Sequence, residues 1–118
     1  RAAGRRTALA TSKPEVYARR IISHFRLDEY FDFVGGAEMT GERTNKAAVI
    51  RYVMKSCGAE ADKTLMVGDR HHDIEGAAAE GIDSLGVLYG YGSREELEKA
   101  GADYIAETPA QTADIILA

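Results

Sequence analysis

Apolar residues in this 118-residue chain follow two alternating patterns. Short unbroken runs have the length of buried strands. Between them lie stretches where apolar positions return every three or four residues, as on one face of a helix. Residues 7–10, Thr-Ala-Leu-Ala, form the first run and lead into Thr11-Ser12. Ser12-Lys13-Pro14-Glu15 then has the form of a capping box, with Pro in the first helical turn. The helix expected behind it carries Tyr17, Ala18, Ile21, Ile22 and Phe25 on one face. Residues 31–34, Phe-Asp-Phe-Val, read as the next strand, stopped by Gly35-Gly36 and followed by a polar loop over 37–43. A second helix begins near Thr44-Asn45 and buries Ala47, Ile50, Val53, Met54 and Cys57, with Gly58 placed to end it.

The pattern continues to the last residue. Residues 64–67, Thr-Leu-Met-Val, are a buried-strand run that stops at Gly68; an Ala-rich helix follows and ends at Gly81. Residues 85–88 are another apolar run, leading into the flexible loop Tyr89-Gly90-Tyr91-Gly92. Ser93-Arg94-Glu95-Glu96 is a second capping box, for a short helix to about Lys99. Residues 103–106 form a weak strand. Thr108-Pro109-Ala110-Gln111 is a third capping box, for a last helix with Ile115, Ile116 and Leu117. Strand and helix alternating with short connections predict an α/β fold, a Rossmann-like parallel sheet with helices on both faces in three layers. No fixed-period repeat, low-complexity segment or internal linker interrupts it, so residues 1–118 read as a single domain.

Composition narrows the function classes. Charged residues make up 29% and hydrophobic ones 45%, the range of globular chains. A net charge of −4 and a pI near 5.4 give no basic footprint for a nucleic-acid polymer. No apolar run reaches membrane-spanning length, and residues 7–10 are too short for a signal region. Cys57 is the sole cysteine, which excludes a disulfide framework and makes a reducing cytoplasm the default location. Oligomeric state is not encoded in any pattern of the chain.

Candidate chemistry lies where strands end and helices begin, because ligands of open α/β sheets bind at the carboxyl edge. The richest stretch is Gly68-Asp69-Arg70-His71-His72-Asp73. Asp69 follows the strand directly and Asp73 opens the helix. Two carboxylates there suit a hard cation that keeps some of its water, such as Mg2+. Equally, Asp69 could end a strand in a turn and Asp73 could cap the helix. Thr11 puts a hydroxyl at a strand end ahead of helix N–H groups, an anion-binding combination, although β propensity also accounts for it and capping accounts for Ser12. Lys46 stands in a first helical turn, where a cation opposes the macrodipole unless a bound phosphate reverses the sign; a solvated lysine is the plainer reading. His71 and His72 do not share a direction, and no Cys or third His adds zinc-ligand spacing. Cys57 falls on an apolar helix face, as a core residue does. Tyr89 and Tyr91 either line a pocket or cover the sheet edge.

Together these residues resemble the haloacid dehalogenase superfamily of phosphotransferases. Leu9-Ala10-Thr11-Ser12-Lys13-Pro14 is similar to its second motif, Lys46 to its third, and the stretch from Val67 to Ala77 to its fourth. The run Gly86-Val87-Leu88-Tyr89-Gly90-Tyr91-Gly92-Ser93 is of the kind seen in the phosphoglycolate phosphatase and 5′-nucleotidase-like branch. The resemblance implies a Mg2+-dependent phosphomonoester hydrolase acting on a small phosphorylated metabolite or nucleotide. Thr11 would bind the phosphoryl oxygens, helped by the Ser12 backbone N–H. Lys46 would neutralise phosphate and nucleophile charge. Asp69 would hold Mg2+ directly, and Asp73 would be a second ligand, in part through water. The family's first motif, Asp-x-Asp ending a first strand, is absent, and so is the helical cap. That strand would lie between the strands at residues 7–10 and 64–67. The expectation is therefore an incomplete core domain, with the nucleophile strand and cap upstream in a parent protein and an aspartyl-phosphate intermediate in its reaction. The start at Arg1 rather than Met agrees with this. The alternatives are a phosphomutase of the same superfamily and a non-catalytic α/β phosphate-binding or regulatory module.

Overall fold

The computed structural model describes residues 6–27, 30–38 and 45–117. Residues 39–43 of the expected polar loop, and Thr44, lie outside them. The elements are β1 (Ala8–Pro14), α1 (Glu15–His24), β2 (Phe33–Ala37), α2 (Lys46–Cys57), a short 3-10 turn (Ala61–Lys63), β3 (Leu65–Gly68), α3 (His71–Ala79), β4 (Asp83–Val87), α4 (Arg94–Ala100), β5 (Tyr104–Ala106) and α5 (Pro109–Leu117). Every strand pairing is parallel. The α/β fold with parallel strands expected from the alternating pattern is therefore present. The strands form two sheets, in the orders β1-β2 and β3-β4-β5. The chain divides correspondingly into two compact units, 1–59 and 60–118.

In the first unit, side chains alternate across β2. Val34 packs with Leu9 and Phe31 against Ala18 and Ile22 of α1. Gly35 faces the other way, where an added Cβ would collide with a Val53 methyl of α2. Successive strand residues point to opposite faces, so one helix covers each face. Val49, Ile50 and Val53 are buried along α2. Ala47, Met54 and Cys57, expected in the same core, are only half-buried. On α1 the expected apolar face is covered at Ala18 and Ile22, while Tyr17, Ile21 and Phe25 remain exposed.

The strand does not end at Ser12: β1 runs to Pro14, which pairs with Ala37, and no side chain caps α1. Glu15, the supposed far side of the capping box, instead accepts from the Gly36 N–H at 3.3 Å. Gly35 and Gly36 do not stop the second strand but lie inside it. A Cβ at Gly36 would come within 2.6 Å of the Lys13 carbonyl oxygen, so the pair admits close neighbours rather than a turn.

In the second unit, Leu85 and Val87 of β4 cluster with Ala106, Leu65 and Ile115, on the face covered by α5. Gly86 looks to the opposite face, where a Cβ would approach Leu97 of α4 at 2.9 Å. Ile74 and Ala77 of α3 are buried too. This sheet also has helices on both faces. Helices α2, α3 and α4 are each closed by a glycine of positive φ: Gly58, Gly81 and Gly101. In each case the following N–H reaches back five residues to a helical carbonyl, as with Ala59 to Met54 at 2.9 Å. Among the described residues, no helix is long and apolar enough to cross a membrane.

Candidate active site

Three of the predicted residues lie in the first unit, at the carboxyl end of β1. From Ala10 to Pro14 the strand advances four residues while β2 advances two, from Gly35 to Ala37. Residues 11–13 bulge out of the ladder. Within the bulge, Thr11 Oγ1 accepts from the Lys13 N–H at 3.2 Å. A hydroxyl that accepts in this way still has its own proton to donate. Ser12 is exposed beside it. Lys46 is the first residue of α2, behind Asn45, whose side chain caps the helix by accepting from Ala48 N at 2.8 Å. From there its ammonium reaches the Ala10 carbonyl oxygen at 2.6 Å. Lys46 is thus half-buried against the bulged stretch of β1 that carries Thr11 rather than extended into solvent.

The two acids lie in the second unit, where β3 gives way to α3. Asp69 is half-buried and Asp73 is 8% exposed. Asp73 is the third residue of α3, and its Oδ2 accepts from the Asp69 N–H at 3.2 Å and the Arg70 N–H at 3.3 Å. Its carboxylate therefore folds the turn that presents Asp69, the helix-start role open to it from sequence. Gly68 is required there, because a Cβ would run into the Asp73 carboxyl group.

Sequence reasoning missed how the loop after β4 closes over Asp69. The Tyr91 N–H donates to Asp69 Oδ2 at 3.0 Å. A Cβ on Gly90 would strike the Asp69 carboxylate, and one on Gly92 would strike its backbone oxygen. Tyr89 bonds Thr112 of α5 through its hydroxyl at 3.1 Å, whereas Tyr91 is 92% exposed. The available signal was the spacing of Gly90 and Gly92, which marks close backbone approach as well as flexibility. Also missed was Glu96. The Ser93 side chain caps α4 as expected, by accepting from Glu96 N at 3.1 Å. The Glu96 carboxylate, however, turns to α3, where Oε2 accepts from His71 N at 2.8 Å and Arg70 Nε at 2.9 Å. The Arg70 guanidinium and the His71 N–H hold the Glu96 carboxyl below its ordinary pKa, and Glu96 in turn raises that of Arg70.

Among the described residues, no three His, Cys, Asp or Glu side chains gather into a metal cluster. His71 Nδ1 lies 3.1 Å from Glu75 on its own helix, and its ring meets that of His72 at a tilt of 50° with centroids 4.0 Å apart. The donor set at the β3 edge is two carboxylates. Mg2+ takes one or two protein carboxylates and completes its shell with water and substrate oxygens, so these residues fit that ion.

The family model for haloacid dehalogenase-like hydrolases matches residues 1–87. A 5′-nucleotidase of Pseudomonas aeruginosa is 47% identical over 89 residues, which is 75% of this chain and 40% of that protein. The tyrosine-protein kinase PtkA of Mycobacterium tuberculosis is 40% identical over 114 residues, 97% of this chain and 38% of that one. A phosphoglycolate phosphatase of Colwellia psychrerythraea is 32% identical over 108 residues, 92% of this chain and 48% of that one. The solved structure of a predicted phosphatase from Clostridium acetobutylicum superposes with a TM-score of 0.95 at 41% identity, covering 98% of this chain and 54% of that one. The chain spans about half the length of these relatives, or less.

Proposed function

The chain belongs to the haloacid dehalogenase-like hydrolases, and from that membership we propose that it is the larger part of the core of a Mg2+-dependent phosphomonoesterase. The observation that carries the reading is the pair of carboxylates at the β3 edge. One is oriented by the Tyr91 N–H, and the other is buried beneath it and holds its backbone. Asp69 would bind the ion directly. Asp73, whose Oδ2 already accepts two backbone N–H groups, would act mainly through water and through the turn. Mg2+ held there supplies positive charge that offsets repulsion between an anionic nucleophile and an anionic substrate.

The rest of the chemistry is assigned to the β1 bulge and to Lys46 at the start of α2. The Thr11 hydroxyl and the Ser12 N–H donate to phosphoryl oxygens. Lys46 neutralises charge that grows on them in the transition state, where fixed donors are worth most. The nucleophile, in this proposal, is an aspartate on a strand outside these residues that forms an aspartyl-phosphate and is then freed by water. Two features support a further strand. The β1-β2 sheet ends on β1 and the β3-β4-β5 sheet ends on β3. Val67 of β3, in an apolar run of buried-strand type, is 38% exposed. The substrate class is a small phosphorylated metabolite or nucleotide, and the lone Cys57 suits a reducing cytoplasm.

A second reading, phosphoryl transfer to an acceptor other than water, is favoured by the match to a protein named as a tyrosine kinase. Mutases fall under the same reading. A non-catalytic phosphate-binding module is the third. The test uses the proposed longer protein, assayed for phosphate release from an aryl phosphate and from nucleotide and sugar phosphates, with Mg2+ and with chelator. Release that needs Mg2+ supports the hydrolase. Phosphate appearing only on an added acceptor supports the transferase. Phosphate binding without turnover, in a protein lacking an upstream Asp-x-Asp, supports the module.

A further inference from the structure

We propose that Glu96 is a positioning residue for Asp69, acting from α4 on the turn between β3 and α3. The inference rests on the reading of Asp69 as a Mg2+ ligand. A helix start leaves several N–H groups without intrahelical partners, and they are usually satisfied by a Ser, Thr, Asp or Asn at the N-cap. The residue preceding α3 is Arg70, whose side chain has only donors. An acceptor for the first of these N–H groups comes from another helix: one oxygen of Glu96 takes the His71 N–H and the Arg70 Nε–H together. Residues 70 and 71, which directly follow Asp69, are thereby fixed from outside their own helix.

The same segment grips Asp69 at two further points. Tyr91 N donates to its carboxylate. Gly92 lies so close to its backbone oxygen that no side chain fits, and a Cβ there would also lie 3.4 Å from Glu96 Oε2. Segment 91–96 is a clamp around the turn, and Ser93 starts its helix so that Glu96 faces α3. Asp73 holds the same turn from within. Of these contacts, the Glu96 bonds are the ones a substitution can remove without adding bulk or touching a proposed ligand. Outer partners of metal ligands change metal affinity although they do not touch the ion.

The test compares the longer protein with its Glu96→Ala and Glu96→Gln variants, using Arg94→Ala as a control. Arg94, on the same helix as Glu96, makes an exposed ion pair with Glu107, which follows β5. Two quantities are read: amide hydrogen exchange at Asp69, Arg70 and Tyr91 in the metal-free protein, and Mg2+ affinity by calorimetry. In Glu96→Ala the three amides should exchange about tenfold faster or more while the β4 amides keep their protection. Mg2+ should bind about tenfold more weakly or worse. Glu96→Gln keeps one acceptor and should lie between, and it carries the comparison if the alanine variant does not fold. Arg94→Ala should alter neither quantity. Unchanged exchange at the three amides, or exchange raised uniformly over residues 60–118, overturns the proposal. So does faster local exchange with unchanged Mg2+ affinity. If the parent binds no Mg2+, the metal reading of Asp69 fails instead, and the exchange data alone decide whether Glu96 orders the turn.

Discussion

The Tyr91 N–H donates to Asp69 Oδ2 at 3.0 Å, across 22 residues of sequence. Asp69 follows β3 and Tyr91 follows β4, and these strands are parallel neighbours with Gly68 opposite Gly86. Their following loops therefore emerge at the same edge. The carboxylate is oriented by a backbone group in the next loop and does not depend on a flexible side chain for its aim.

Gly92→Ala should be costly. The new methyl would meet the Asp69 carbonyl oxygen, a backbone atom with no rotamer to escape into. Overpacking of this kind costs about 1–3 kcal/mol. Denaturant unfolding of the longer protein should show it, together with reduced Mg2+ affinity. Gly58→Ala is the contrasting case: nothing lies within 4 Å of the added methyl, yet φ is +66°. It should cost about 1 kcal/mol through the backbone alone and leave Mg2+ binding unchanged.

Asp73 and Asp69 should separate stability from metal binding. Asp73→Ala removes a buried acceptor from two backbone N–H groups, a loss of about 1–3 kcal/mol. Asp73→Asn keeps an oxygen and should be milder in both stability and Mg2+ affinity. Paired unfolding and calorimetric titrations check this. Equal loss of Mg2+ affinity in Asp73→Asn and Asp69→Asn would argue for two direct ligands.

Lys46→Met should abolish function at little structural cost. The helix start regains about 0.3–1 kcal/mol when an opposing cation is removed. Loss of the charged donor's bond to the Ala10 carbonyl outweighs this, at about 1.5–3 kcal/mol. The melting temperature should fall by only a few degrees, while kcat/KM should fall about a hundredfold or more. A large drop in melting temperature with activity retained would make Lys46 a structural residue.

Residues 1–118 made alone should be inactive and should associate. Unpaired apolar strand edges are templates for other chains, and both β1 and β3 end their sheets. Size-exclusion chromatography and thermal melting check this. A monomeric, cooperative fragment that hydrolyses phosphomonoesters would remove the need for a further strand and an upstream nucleophile.

Helix ends were legible where the signal is local: Asn45 and Gly58 bound α2, Gly81 follows α3, and Ser93 caps α4. These depend on a few neighbouring residues and their backbone angles. Local rules failed where a distant partner competed. Ser12 to Glu15 satisfies the capping-box pattern, but Pro14 pairs with Ala37 and Glu15 takes the Gly36 N–H. Gly35-Gly36 reads as a strand stop because glycine marks both turns and close packing, and only the position of Val53 separates the two. The residues of the candidate site were named from sequence. Its supports at Gly92 and Glu96 were not, since an acceptor supplied from another helix leaves no mark at Arg70 or His71.

In the proposed hydrolase, Asp69 is the carboxylate on which Mg2+-dependent phosphoester hydrolysis depends. The most direct measurement is phosphate release from an aryl phosphate by the longer protein and its Asp69→Asn variant, across a Mg2+ titration, with circular dichroism to verify folding. Asp69 is half-buried, and Asn keeps its shape and one acceptor, so the fold should survive within about 1 kcal/mol. A folded variant with activity lost at every Mg2+ concentration is expected. A variant that turns over at the parent's rate with the same Mg2+ dependence would contradict it.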